Sequence, residues 1–180
     1  MSRRPFTWRE RYLLKKLYPK QQLNSIFELD PGGLRYLGIK GIIIDMDNTL
    51  VPRKERYVSP RLAEWLSGLK EEGFRLCIVS NNTAEKGGEL ARTLEVPAFW
   101  YAVKPRRRSF RKALRTMDLS VGEVAVIGDQ IFTDVLGGNR MGLYTILVSP
   151  MSEKEVFWTK MIRWSERLVL KRLKRKKMKV

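Results

Sequence analysis

The run Gly41-Ile42-Ile43-Ile44, followed at once by Asp45-Met46-Asp47, constrains this chain more than any other stretch. Three successive isoleucines show no polar alternation, so they read as a strand buried on both faces, as in parallel sheets covered by helices on each side. Two carboxylates one residue apart then stand at the strand's carboxyl end, the edge where open α/β sheets place their ligands. Like charges this close raise each other's pKa unless a cation or hydrogen-bond donors compensate them. An Asx-type turn alone would account for an aspartate after a strand. Three later signals of the same kind favour a ligand-binding edge.

Those signals come from a regular alternation downstream. Ser59 and Pro60 fit the cap and first position of a helix carrying Leu62, Trp65, Leu66 and Leu69, which Gly73 ends. A second strand is expected over 74–79. Ser80-Asn81-Asn82-Thr83 then caps a helix reaching about residue 94, and a short third strand covers 98–102. A helix over 109–117, a strand over 124–127, a helix over 133–141 and a strand over 143–148 complete the series. Strand and helix alternating in this way predict an α/β fold, a Rossmann-like doubly wound parallel sheet with right-handed crossovers.

In such a sheet the carboxyl ends of the strands share one edge. The first strand delivers Asp45 and Asp47, the second Ser80, the third Lys104, and the fourth Asp129 with Asp134 five residues on. Carboxylates from Asp45 and Asp129, with backbone oxygen and water, make an all-oxygen site suited to Mg²⁺. Lys104 can neutralise a phosphoryl group, the Ser80 hydroxyl can bond its oxygens, and a carboxylate can attack phosphorus to give an aspartyl-phosphate. Taken singly, Ser80 could be a helix cap, Lys104 a solvated loop lysine and Asp134 a favourable anion near a helix start.

The set Asp45-Met46-Asp47-Asn48-Thr49, Val79-Ser80-Asn81-Asn82, Lys104-Pro105 and Gly128-Asp129-Gln130-Ile131-Phe132-Thr133-Asp134 resembles the haloacid dehalogenase (HAD) superfamily. Within it the chain is most similar to the IIIA-type phosphatases and their YqeG family, which look like the phosphatidylglycerophosphate phosphatases of lipid synthesis. The resemblance covers roughly residues 40–150 and implies roles. Asp45 would be the nucleophile, and Asp47 the acid and then the base. Thr49 would support the loop. Ser80 would bind the phosphoryl group, with Asn81 contributing locally. Lys104 would hold nucleophile and phosphate together. Asp129 and Asp134, with Asp45 and the backbone carbonyl of Asp47, would hold Mg²⁺. Only 35 residues separate Asp45 from Ser80, and 24 separate Ser80 from Lys104. Neither interval can hold the cap domain many relatives carry, so the enzyme is expected to be capless and open to a large or surface-bound substrate.

Composition narrows the chemistry and divides the chain. There is no histidine, which removes every imidazole base and ligand, and the single cysteine, Cys77, lies in an apolar run and cannot form an internal disulfide. That cysteine usage, the lack of an apolar segment behind the basic N-terminus and the lack of an apolar run near 20 residues suggest a cytoplasmic protein. The formal net charge is +17, of which residues 1–40 carry +6, residues 41–150 only +3 and residues 151–180 +8. Three parts are therefore expected: a basic, aromatic extension over 1–40, the phosphatase core over 41–150, and a basic C-terminal helix over 151–180.

Basic ends imply a polyanionic partner. A short helix over about 7–18 could cover an edge of the core or contact a membrane. In the tail, Phe157, Met161, Trp164 and Leu168 form one apolar stripe, with Trp158, Ile162, Val169 and Leu173 beside it. Lys160, Arg163, Arg167, Lys171 and Lys174 form a basic stripe, the pattern of a helix lying in a membrane surface. Arg106, Arg107 and Arg108 precede a helix, where positive charge opposes the dipole, so they are expected to grip a second anionic group of the substrate or an anionic membrane. The favoured partner is a phospholipid phosphomonoester at the inner face of the membrane. Nucleic-acid end phosphatase is the alternative enzyme, and a basic RNA- or protein-binding module on the same scaffold is the non-catalytic one.

Overall fold

A computed structural model describes residues 14–52 and 57–151. The helices expected near the two ends lie wholly or mostly outside these residues. Six parallel strands form one sheet: β1 (Gln21–Leu23), β2 (Gly41–Ile44), β3 (Arg75–Val79), β4 (Ala98–Phe99), β5 (Val124–Gly128) and β6 (Tyr144–Val148). Their order is β1-β6-β5-β2-β3-β4. The helices are α1 (Pro31–Tyr36), α2 (Pro60–Glu71), α3 (Ala84–Thr93), α4 (Arg107–Met117) and α5 (Leu136–Met141).

The α/β reading is thus borne out, and the alternation of burial shows why. Ile42 and Ile44 face one apolar cluster with Leu62, Leu66 and Leu69 of α2, while Ile43 faces the other with Phe110, Ala113 and Met117 of α4. All three isoleucines are 0–1% exposed. Each such side chain contributes roughly 1.5–3 kcal/mol on burial, which is why a strand in this position carries no polar residue. On α2, Ser59 Oγ accepts from the Leu62 N–H at 3.2 Å and Pro60 takes the first turn, as the sequence suggests.

The strand order reverses between β2 and β5. Chain after β2 builds β3 and β4 on one side, and β5 and β6 build the other. Ile44 is level with both Ile127 and Ile78, so Asp45, Gly128 and Val79 come next at one height. This topological switch point opens the crevice where such sheets bind ligands. Among the described residues each interval between β2, β3, β4, β5 and β6 holds a single α-helix, with no cap domain.

Three features differ from the sequence reading. First, residues 21–40 belong to the sheet and core, although the sequence sets the boundary of the core at 40. β1 pairs with β6, and Ile26, Leu29, Leu34 and Ile39 are buried in the larger apolar cluster. Asn139 Nδ2 donates to the backbone carbonyls of Lys16 and Tyr18 at 2.8 and 2.7 Å, fastening the segment that precedes β1. Of the two readings for the N-terminal arm, residues 14–40 take the packing one.

Second, β4 is two residues long where five were expected. The chain leaves the ladder because Tyr101 and Val103 adopt φ of 49° and 51°. Such values are uncommon for any side chain and an outlier for β-branched valine, costing on the order of 1–3 kcal/mol each. Third, residues 131–135 form a π-helical turn before α5, where a continuous helix was expected. Single π turns recur at functional sites.

Candidate active site

Asp45 leaves β2 directly, its N–H donating to the Ile127 carbonyl at 2.9 Å, so its position is fixed by the ladder itself. The following loop is closed on one acceptor: Met46 O receives the N–H groups of Thr49, Leu50 and Val51 at 3.4, 2.9 and 3.3 Å. Lys104 arrives from the opposite direction, on the loop after β4, through a cis Lys104–Pro105 peptide. Its Nζ donates to Asp45 Oδ1 at 2.5 Å and to Asp134 Oδ1 at 2.7 Å. All three side chains are at most 6% exposed.

Asp134 is brought in by the π turn and held by neighbours. Gln130 N–H and Thr133 Oγ donate to its Oδ2 at 3.3 and 3.2 Å. A Cβ built on Gly128 would lie 2.3 Å from the Asp134 carboxyl carbon and 2.6 Å from its Cβ. Glycine at 128 is therefore what lets the carboxylate fold back over the end of β5. With Asp129, which is also buried, Asp45 and Asp134 each offer an oxygen, all within 4.8 Å of one another.

Among the described residues, three buried carboxylates face one ammonium, an excess of negative charge. Burial holds the Asp45 carboxyl well above the usual range; Lys104 pulls it down, and Asp134 and Asp129 push it up again. Burial alone would lower the Lys104 ammonium, but Asp134 and Asp45 more than offset it, so its pKa lies above the ordinary value. A cluster of hard oxygen donors with uncompensated charge fits a divalent cation such as Mg²⁺ or Mn²⁺. Cys77, in contrast, is buried in apolar surroundings that push its thiol up to about 12, and it is no nucleophile.

Asp47 lies outside this acidic trio. Asn82 Nδ2 donates to both of its oxygens at 2.7 Å, and Ser80 Oγ donates to Oδ2 at 3.4 Å while accepting from the Asn82 N–H at 3.0 Å. Asn82 was absent from the residues expected in the site. Asn81, expected to act near the substrate, instead accepts the Lys104 N–H at 2.7 Å, tying the β3 loop to the β4 loop. Thr49 is buried, and its hydroxyl has no partner among the described residues. The three arginines are exposed at the start of α4. Arg106 and Arg108 line a pocket of about 170 Å³, and Arg107 does not.

The comparisons with known proteins agree with this geometry. Residues 42–103 match the model of the haloacid dehalogenase-like hydrolases, and residues 101–154 match a HAD-hydrolase-like model. The fold is shared with the cobalt-bound deoxy-D-mannose-octulosonate 8-phosphate phosphatase of Haemophilus influenzae (TM-score 0.53, 13% identity, 76% of this chain and 90% of that one). It is shared also with an uncharacterised Listeria monocytogenes protein (TM-score 0.52, 20% identity, 66% and 85%). Sheet, crevice and sequence models define the class: a haloacid dehalogenase-like hydrolase.

Within that class, the chain is 42% identical over 165 residues to the probable phosphatase YqeG of Bacillus subtilis, spanning 91% of this chain and 96% of that one. It belongs to the YqeG family of HAD phosphatases. It is also 26% identical to the chloroplastic/mitochondrial phosphatidylglycerophosphate phosphatase 1 of Arabidopsis thaliana, over 89% of this chain but only 49% of that protein. Among the described residues, no helix is long and apolar enough to cross a membrane.

Proposed function

We propose that this phosphatase hydrolyses the terminal phosphomonoester of phosphatidylglycerophosphate at an anionic membrane surface, with Mg²⁺ and an aspartyl-phosphate formed on Asp45. The observation that carries the chemistry is the buried lysine joining Asp45 to Asp134, beside Asp129. Three carboxylates buried with one lysine call for a cation to balance their charge, and cation and lysine together then attract an anionic phosphoryl group. The lipid substrate is supported by the Arabidopsis relative and by a Chlamydomonas reinhardtii relative of the same name, 28% identical over 71% of this chain.

In this reading an Asp45 oxygen attacks phosphorus as the bond to the glycerol oxygen breaks. Asp47 gives its proton to that leaving oxygen, becomes a carboxylate, then takes a proton from the water that attacks the acyl phosphate. Inorganic phosphate leaves and Asp45 is regenerated. Asn82, donating to both Asp47 oxygens, favours the carboxylate form needed in the second half. Lys104 screens the Asp45 charge from the incoming phosphoryl group. The buried Thr49 hydroxyl is available to its oxygens, and an unpaired buried hydroxyl costs about 1–3 kcal/mol that a ligand would relieve; the Ser80 hydroxyl can turn to them from Asp47. Asp45, Asp129 and Asp134, with the Asp47 carbonyl, would hold Mg²⁺, which supplies charge neutralisation on the phosphoryl oxygens.

The test is phosphate release from phosphatidylglycerophosphate in anionic liposomes beside a 3′-phosphorylated oligonucleotide, with and without Mg²⁺. Turnover of the lipid, dependent on Mg²⁺ and lost in Asp45→Asn, is the expected result. Turnover of the oligonucleotide alone would move the assignment to nucleic-acid ends.

A further inference from the structure

The strained loop after β4 builds a second cationic feature that the reaction at Asp45 does not use. Phe99, Trp100 and Tyr101 line the 170 Å³ pocket together with Arg106, Arg108 and Lys112. Among the described residues, no acidic side chain lines it. Lys112 Nζ sits 5.7 Å from the centre of the Phe99 ring, and among the described residues neither Arg106 nor Arg108 has a carboxylate partner. Arg106 at the N-cap and Arg108 in the first turn of an eleven-residue helix both oppose its dipole, so no local benefit explains them. Val103 and Arg106 flank Lys104 in the chain by one and two residues, so pocket and phosphoryl site share one loop.

We propose that this pocket is a second anion subsite that takes a phosphodiester carried on the same molecule as the reacting phosphomonoester. The inference rests on the reading of Asp45 and Lys104 as the phosphoryl site. A phosphodiester bears one charge between two carbon substituents. Guanidinium forks match its oxygens, and aromatic walls match its flanking carbons. The head group of phosphatidylglycerophosphate has this make-up, with a phosphodiester and a phosphomonoester joined by glycerol.

Arg107 makes the proposal testable, because it carries the same charge next door without lining the pocket. The full chain with Mg²⁺ is assayed on the deacylated head group, which bears both phosphates, and on glycerol 3-phosphate, which bears one. In the Arg106→Ala/Arg108→Ala double variant, kcat/KM for the head group should fall about 10- to 100-fold, the loss expected for one or two charge-assisted hydrogen bonds. Glycerol 3-phosphate turnover should not change, and Arg107→Ala should leave the preference between the two intact. Equal losses on both substrates, no loss, or an equal effect of Arg107→Ala would overturn the subsite and indicate diffuse attraction.

If the wild type hydrolyses p-nitrophenyl phosphate but neither the lipid nor its head group, the substrate assignment fails on its own. Calorimetric binding of glycerophosphoglycerol to the Asp45→Asn protein then decides the subsite. Binding weakened by the double variant supports it, and absence of binding overturns it.

Discussion

Lys104 and Lys40 make the same kind of contact and mean different things. Lys104 meets Asp45 and Asp134 at 2.5 and 2.7 Å, and Lys40 meets Glu123 at 2.7 Å. The Lys104 side chain is 3% exposed and that of Lys40 is 65% exposed. Water screens the outer pair, so it contributes little. The inner cluster has given up its hydration, leaves negative charge uncompensated, and gains only if something else enters. Distance alone does not separate a structural ion pair from a functional one; burial and charge balance do.

Changes at the inner cluster should therefore be severe. Asp45→Asn should lower kcat by at least about 10⁴-fold with the fold intact by circular dichroism, as for loss of a nucleophile. Retained turnover would remove Asp45 from the chemistry. Lys104→Met keeps the stem but strands two buried carboxylates. It should abolish activity and cost about 3–5 kcal/mol in denaturant unfolding without metal. Added Mg²⁺ should recover more stability in this variant than in the wild type, since a cation then replaces the lost one.

Gly128→Ala acts one step removed. Its methyl would displace the Asp134 carboxylate, and metal affinity measured by titration should weaken about 10- to 100-fold. Asn82→Ala removes the amide nitrogen that donates to both oxygens of the Asp47 carboxylate. Losing hydrogen bonds to the charged form raises a carboxyl pKa, so the acid limb of the kcat profile should move to higher pH. An unmoved limb would show that Asp47 is not the titrating group.

At the outer pair the effect should be smallest. Hydrogen bonds from Lys40 and Ser120 hold Glu123 down, at about 2. Its contribution is present above its unfolded value near 4.5 and is lost as pH falls toward about 2. Glu123→Gln should remove that small contribution at neutral pH and flatten the stability curve between about 4.5 and about 2.

The same contrast explains what could be read from sequence. Asp45 and Asp129 each follow an apolar strand, and parallel pairing brings the ends of such strands together, so their approach was legible, whereas Asp134 comes in through the π turn and Lys104 through the loop after β4. β1 was not: Gln-Gln-Leu has no apolar pattern, and it is a strand only because β6 offers a free edge and Asn139 clamps the chain before it. The choice between Asn81 and Asn82 was equally hidden, because two adjacent amides after a strand point different ways and only the local turn decides. The early end of β4 depends on backbone values at Tyr101 and Val103 that their side chains disfavour, so propensity argues against it.

The central claim is that Asp45 carries the phosphoryl group during turnover. The most direct measurement is mass spectrometry of acid-quenched Asp47→Asn protein, incubated with Mg²⁺ and substrate. This variant can lose the leaving group slowly but cannot activate water, so the intermediate should accumulate. One added phosphoryl group on the peptide carrying Asp45 is the expected result. A phosphoryl group on another residue, or none while the wild type turns over, would contradict the account.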